Sequence, residues 1–281
     1  MNNKVIFLDI DGTLVDDDGY VPESAREACI KARENGHKIF LCTGRSKPEI
    51  YDFIYEIGFD GTIGAGGGFI EIGQDMLYHK KFSQEAVRKL VDFFNENEID
   101  FYIESNGGLY ASENLKPHLE RCIYGDLEND EEARIKKETK PNPFVDALIY
   151  GEKNLYRDDV NKACFLASDK VSFNEIKEIF EDEFEVIQCT VPAFGDDSGE
   201  LAVKGVHKAI AIEDLLNHLN IDKQDTIAIG DGLNDIEMFQ FCNIGVAMGN
   251  AKDKLKEVAD FITDDVDKDG LYKAFVKLEL I

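Results

Sequence analysis

Short apolar runs alternate with segments whose apolar residues recur every three or four positions. KVIFLDI (4–10) is almost continuously apolar, the pattern of a parallel strand buried on both faces. VPESAREACIKARENG follows, with Ala25, Ala28, Cys29 and Ala32 on one helical face and Gly36 where a helix should end. HKIFLCTG predicts a second strand. The S-x-x-E spacing of Ser46 to Glu49 predicts a capping box opening a helix through Ile57, which Gly58 ends. Strand, helix, strand, helix at this spacing means right-handed βαβ units and a parallel sheet.

The middle of the chain has another rhythm. FIEIGQDMLYH reads as a hairpin, and a helix from Ser83 carries Val87, Leu90, Val91 and Phe94 at helical spacing. DFYIESNGGLYAS forms two alternating runs about an Asn-Gly-Gly turn. Residues 125–142 are polar and read as a solvated loop or irregular helix. KACFLAS, a second S-x-x-E helix from Ser172, and FEVIQCT complete an α+β pattern. From Gly199 the βα rhythm returns. GELAVK precedes a helix over 206–219, TIAIGD runs into a helix from Leu233, and NIGVAMG, a short helix from Asn250, DFIT and a helix from Gly270 follow. The expected organisation is a core of residues 1–82 and 192–281 with an inserted domain of residues 83–191. Phe93, Phe94 and Phe101 are expected in the core of that insert.

Composition narrows the function. At 281 residues, roughly three quarters of the unfolded surface can be buried, so stability needs neither a disulfide nor a structural metal. The formal charge is 31 − 57 = −26, and such a surface repels phosphate backbones and acidic lipids, so nucleic acid and membranes are poor partners. A small phosphate ester could bind only where local cations outweigh that field, and Mg²⁺ is the expected one. The cysteines are scattered without C-x-x-C spacing, as in a reducing compartment. The start lacks a signal-peptide pattern and no apolar run is long enough to span a bilayer, so a cytoplasmic protein is expected. Oligomeric state is not legible, and a monomer is compatible with everything above.

In open parallel sheets, ligands bind beyond the carboxyl ends of the strands. Asp9 and Asp11 follow the first strand here, Thr43 the second, and Asp231 follows TIAIG, with Asn234 and Asp235 in the next turn. One such carboxylate is commonly a helix cap. Three strand ends, each followed by glycine (Gly12, Gly44, Gly232), point instead to close approach of a ligand. Asp9, Asp11 and Asp231 would repel one another unless a hard cation joined them, and Mg²⁺ suits few carboxylates completed by water and phosphate.

DIDGT after a hydrophobic strand, CTGR, a downstream lysine and GDGLND resemble the four motifs of the haloacid dehalogenase (HAD) superfamily of phosphotransferases. GVAMGNAKDKLKEVADFIT and DKDGL resemble the C-terminal signature of its Cof-type phosphatase branch. The resemblance implies a Rossmann-like α/β core with a large inserted α+β cap of type IIB. It also implies a Mg²⁺-dependent phosphatase acting on a small phosphomonoester, such as a sugar phosphate or a phosphorylated cofactor. By that resemblance Asp9 would be the nucleophile that becomes phosphorylated, and Asp11 the general acid and then base, reaching the metal through its backbone carbonyl. Asp231 would complete the metal site with Asp235 in support. Thr43, Gly44 and Asn234 would bind the phosphoryl oxygens with Lys208. Lys204 also follows GELAV, but the family's glycine, two residues, then lysine fits Lys208. Where the branch has an Asn-Gly-Ala type of loop, this chain has Ala65-Gly66-Gly67-Gly68, which carries no assigned contact.

A phosphomutase or sugar-phosphate transferase would share the chemistry with an alcohol as acceptor. A phospho-acceptor signalling module would share the acidic cluster, but Asp11 supplies the group that turnover needs. Other patterns are discounted. Asp265, Asp267, Asp269 and Gly270 mimic an EF-hand start, yet the twelfth position is Val276 rather than glutamate, so a turn capping the last helix is expected. Asp16 to Gly19 reads as a solvent-facing turn. His207 is redundant as a base beside Asp11.

Overall fold

A computed structural model describes residues 3–151, 155–189 and 191–281, with Pro192 described in its backbone only. The chain divides into two compact units: Met1–Arg45, Ile50–His79 and Val206–Ile281 form one, Ser46–Glu49 and Lys80–Gly205 the other.

In the first unit β1 (Val5–Leu8) leads through α1 (Glu23–Glu34) to β2 (Lys38–Cys42), then through α2 (Asp52–Tyr55) to β3 (Gly61–Gly64) and the hairpin of β4 (Phe69–Ile72) and β5 (Asp75–His79). Every residue of β1 is buried, which requires cover on both faces of the sheet. On α1, Ala25, Ala28, Cys29 and Ala32 are the buried positions, and Gly36 closes the helix at φ 91°.

The second unit contains α3 (Gln84–Glu96), the hairpin β6 (Phe101–Ser105) and β7 (Gly108–Ala111), α4 (Leu115–Tyr124), α5 (Glu131–Thr139) and α6 (Pro143–Ala147). It continues with β8 (Leu148–Tyr150), β9 (Val160–Phe165), α7 (Phe173–Phe180), β10 (Phe184–Gln188) and β11 (Gly199–Val203). Its sheet runs β10-β11-β9-β6-β7-β8. Alternation along the strands sends Phe101, Ile103, Ala163, Phe165 and Leu201 into a core with Phe94 of α3 and Ile176 and Phe180 of α7. The opposite side carries Tyr102, Glu104, Lys162, Cys164 and Glu200, which the register pairs across the strands.

The chain returns to the first unit with α8 (Lys208–Leu219), β12 (Thr226–Gly230), α9 (Ile236–Phe241), β13 (Ile244–Ala247), α10 (Asp253–Lys256), β14 (Phe261–Ile262) and α11 (Gly270–Lys277). The completed sheet runs β14-β13-β12-β1-β2-β3-β4-β5, parallel from β14 to β3. Successive strands wind outward on one side of β1 and, after the insertion, on the other. The switch point lies between β1 and β12, where an open α/β sheet forms its ligand crevice. No helix among the described residues is long and apolar enough to cross a membrane.

Three expectations need correction. The insertion was expected to end at residue 191, but β11 pairs with β9 and β10, so residues 192–205 belong to the inserted unit. A five-residue strand before a helix has the same local pattern in either sheet, and only its partners decide. The expected helix from Ser46 to Ile57 is a 3-10 turn at Lys47–Glu49 and a separate α2. Glu49 accepts the Ser46 N–H at 2.8 Å, as in a capping box, but the Ser46 hydroxyl donates to Glu104 instead of capping. The polar stretch 125–142 holds a regular helix, α5, whose Asp130 side chain accepts the N–H of Glu132. Asp269, in the left-handed region at φ 59°, occupies the N-cap position of α11, but its side chain makes no capping bond and accepts from the Ser24 hydroxyl at 2.6 Å.

Candidate active site

Asp9 continues the β1 ladder, its N–H donating to the carbonyl of Ile229 at 3.0 Å, so the backbone fixes where its side chain begins. Asp231 leaves β12 on the neighbouring strand. Asp235 follows one 3-10 turn later, its Oδ2 accepting the N–H groups of Asp231 at 3.0 Å and Gly232 at 2.9 Å. One carboxylate oxygen from each of Asp9, Asp231 and Asp235 lies within 4.8 Å of the others. Lys208, at the start of α8, reaches into this group, with Nζ 2.7 Å from Asp9 Oδ1 and 2.5 Å from Asp235 Oδ1. The lysine is 1% exposed and Asp235 fully buried.

Glycines make room for the cluster. A Cβ on Gly12, whose φ is 72°, would fall 2.4 Å from Asp231 Oδ2, and one on Gly230 would fall 2.3 Å from Asp235 Oδ2. Either substitution would displace a carboxylate.

Three carboxylates against one ammonium leave the cluster short of positive charge. Burial and the nearby Asp235 and Asp231 push Asp9 up to about 8, despite the opposing Lys208. Burial and Asp235 push Asp231 up to about 6, although Thr13 donates to its Oδ1 at 3.3 Å. Burial alone would lower Lys208, but Asp235 and Asp9 outweigh it and hold the ammonium charged above the usual lysine range. A set made only of hard carboxylate oxygens, deficient in charge and beside a strand-end crevice, fits a hard divalent cation such as Mg²⁺. Asp9 and Asp231 would hold it. Both oxygens of Asp235 are engaged by Lys208 and two backbone N–H groups, which suits the supporting position expected of it.

The remaining candidates line the same strand ends. Thr43 is buried at the end of β2, with its N–H donating to Ile63 O at 2.9 Å and its hydroxyl accepting from Arg45 N at 3.1 Å. A Cβ built on Gly44 would lie 3.5 Å from the Asn234 amide nitrogen, so β2 and the turn after β12 converge there. Asp11 contributes no carboxylate to the three-residue group. Its side chain is forked to Arg45, with Nε–Oδ2 2.9 Å and Nη2–Oδ1 2.6 Å. Lys204, the other lysine considered, donates to the carbonyl of Glu181 in the inserted unit. The glycine-rich loop braces the Thr43 segment, since Gly66 N donates to Thr43 O at 3.0 Å and Ala65 N to Arg45 O at 2.8 Å.

Sequence reasoning assigned no role to Arg45, Thr13 or Gly230. Arg45 carried a readable signal, a cation directly after a strand-end Thr-Gly in a strongly acidic chain. Thr13 and Gly230 carried none, because their partners lie across the sheet.

The chain is similar to several known proteins. The family of haloacid dehalogenase-like hydrolases matches residues 6–275. YkrA of Bacillus subtilis, named as an inferred phosphatase, is 30% identical over 286 residues, covering all of both chains. YwtE of the same organism, named as a 5-amino-6-(5-phospho-D-ribitylamino)uracil phosphatase, is 26% identical over 95% of each chain. A solved hypothetical protein of Geobacillus kaustophilus superposes with a TM-score of 0.82 at 28% identity over all of both chains. A solved subclass IIB sugar phosphatase gives 0.74 at 25% identity, covering 99% of this chain and 100% of its own.

Proposed function

The chain belongs to the haloacid dehalogenase-like hydrolases, and from that premise we propose a Mg²⁺-dependent phosphatase that hydrolyses small phosphomonoesters through a phosphorylated Asp9. The observation that carries this reading is the charge-deficient group of Asp9, Asp231 and Asp235 around the one ammonium of Lys208.

Bound Mg²⁺ supplies positive charge that neutralises phosphoryl oxygens and keeps Asp9 ionised as a nucleophile. The protein's residues do the rest. In the first step an Asp9 carboxylate oxygen bonds to phosphorus, the bond to the leaving oxygen breaks, and the proton of the Asp11 carboxyl group passes to that oxygen. In the second step a water oxygen bonds to phosphorus, its proton passes to Asp11, and the bond from phosphorus to Asp9 breaks. Thr43, Gly44, Asn234 and Lys208 hold the phosphoryl oxygens throughout, which is most of what phosphoryl transfer requires of a protein. A sugar phosphate or a phosphorylated cofactor is the substrate class, in keeping with relatives named for a ribitylamino-uracil phosphate and for sugar phosphates. Product is inorganic phosphate and an alcohol.

The test is phosphate release from a panel of phosphorylated metabolites, with Mg²⁺ and with chelator, for the parent and for Asp9→Asn. The parent should turn over only with Mg²⁺, and the variant should fold yet lose at least roughly a thousandfold in rate, as loss of a nucleophile implies. Residual activity within tenfold of the parent would refute the nucleophile. An isomerised product without free phosphate would make the enzyme a mutase.

A further inference from the structure

We infer that Arg45 is the positioning residue for Asp11: its guanidinium fork fixes the carboxyl group that serves the leaving oxygen. This rests on the reading of Asp11 as the acid–base group.

Asp11 and Arg45 differ in what holds them. The Asp11 side chain is 63% exposed, past the end of β1 and beside the left-handed turn at Gly12, so packing does not choose its rotamer. The Arg45 side chain is 19% exposed and lies over the ring of Tyr51, with Cζ 5.6 Å from the ring centre. Its backbone is pinned at both ends, N–H to the Thr43 hydroxyl and carbonyl to Ala65 N–H. The arginine is therefore the anchor and the aspartate the group that is held. Two N–H···O bonds from a planar fork fix both the position and the plane of a carboxyl group, which one ammonium cannot do.

Stability does not account for the arrangement. An exposed ion pair contributes at most about 1 kcal/mol. A proton donor, by contrast, loses rate steeply when it moves out of hydrogen-bond reach of its target. Each Asp11 oxygen keeps a second lone pair, so the fork leaves room for the transferred proton. The same residue also touches the Thr43 hydroxyl, so one arginine holds the proton donor in register with the phosphate-binding loop. The link is non-local: 34 residues separate Asp11 from Arg45, and adjacent parallel β1 and β2 bring them together.

The experiment compares two leaving groups with Mg²⁺ present. p-Nitrophenolate departs without a proton, whereas the alkoxide of glycerol phosphate needs one. If Arg45 acts through Asp11, Arg45→Ala should lower kcat/KM, which reports the steps through departure of the leaving group, by roughly ten- to a hundredfold on glycerol phosphate and by less than about threefold on p-nitrophenyl phosphate, a smaller loss than the roughly hundred- to ten-thousandfold of removing a general acid outright. The substitution should cost nothing further in kcat/KM in an Asp11→Asn background. Arg45→Lys, which keeps the charge and disturbs folding least, should show most of the same selective loss. Equal losses of kcat/KM on both substrates, further loss of it in the Asp11→Asn background, or full activity of Arg45→Lys would each overturn the inference. Asp11→Asn that lowers kcat/KM equally on both substrates would instead overturn the acid assignment beneath it.

Discussion

Each unit of the molecule buries a lysine among carboxylates, and the two arrangements differ in charge balance. In the inserted unit Lys162 Nζ lies 3.2 Å from Glu104 Oε2 and 3.5 Å from Glu200 Oε2. Glu104 is fully buried and also accepts from the Ser46 hydroxyl and, at 3.2 Å, from Cys164 Sγ, while Glu200 is one-third exposed to water. One fully buried carboxylate thus faces the ammonium, with the more exposed Glu200 and Glu49 also acting on it. In the first unit Lys208 contacts Asp9 and Asp235, and Asp231 stands within 4.8 Å of both, with Gly12 and Gly230 so close that a Cβ on either would strike a carboxylate. Buried charge alone does not mark a site. What distinguishes the first unit is that three carboxylates converge within 4.8 Å of one another at a strand-end crevice, a set that suits a hard cation.

The largest expected effect comes from removing each lysine. Lys208→Met leaves Asp9 and Asp235 without a counter-charge and Lys162→Met does the same to Glu104, so each should cost about 3–5 kcal/mol by thermal or denaturant melts. Mg²⁺ should restore much of the loss in Lys208→Met and none in Lys162→Met. Rescue of both, or of neither, would break the comparison.

A smaller effect concerns pH. Metal-free, Asp9 is pushed up to about 8 and Asp231 to about 6, in each case chiefly by burial. Unfolded aspartate titrates near about 3.9, so between that value and the folded ones the native state holds more protons than the unfolded one. The stability these groups contribute is full below about pH 4 and is lost as pH rises to about 8. Chelator-treated protein should melt lower at about pH 8 than at about pH 5, and Asp9→Asn should flatten that slope. Saturating Mg²⁺ should remove it. An equal slope in parent and variant would contradict the charge-deficient picture.

The legible part of the molecule was the part fixed by neighbours in sequence. Asp9, Thr43 and Asp231 stood out because an apolar strand ending in a polar residue and glycine is a local pattern, and the βα rhythm placed all three at one sheet edge. What stayed hidden depended on distant partners. The strand at Gly199–Val203 joined the other sheet because β9 and β10 were there to pair with it. The helix at Ser46 stopped short while the Ser46 hydroxyl went to Glu104, 58 residues away. For Asp235, whose supporting role the family resemblance implies, what stayed hidden was the partner of its Oδ1, the ammonium of Lys208, 27 residues away.

The central claim is that the cluster's missing charge is that of a divalent ion held by Asp9 and Asp231. Titrating chelator-treated protein with Mg²⁺ in a calorimeter tests it directly. The account predicts saturable binding at a single site, lost in Asp231→Asn and retained in Lys162→Met. Binding that survives Asp231→Asn unchanged, or no binding by the parent at millimolar Mg²⁺, would contradict it.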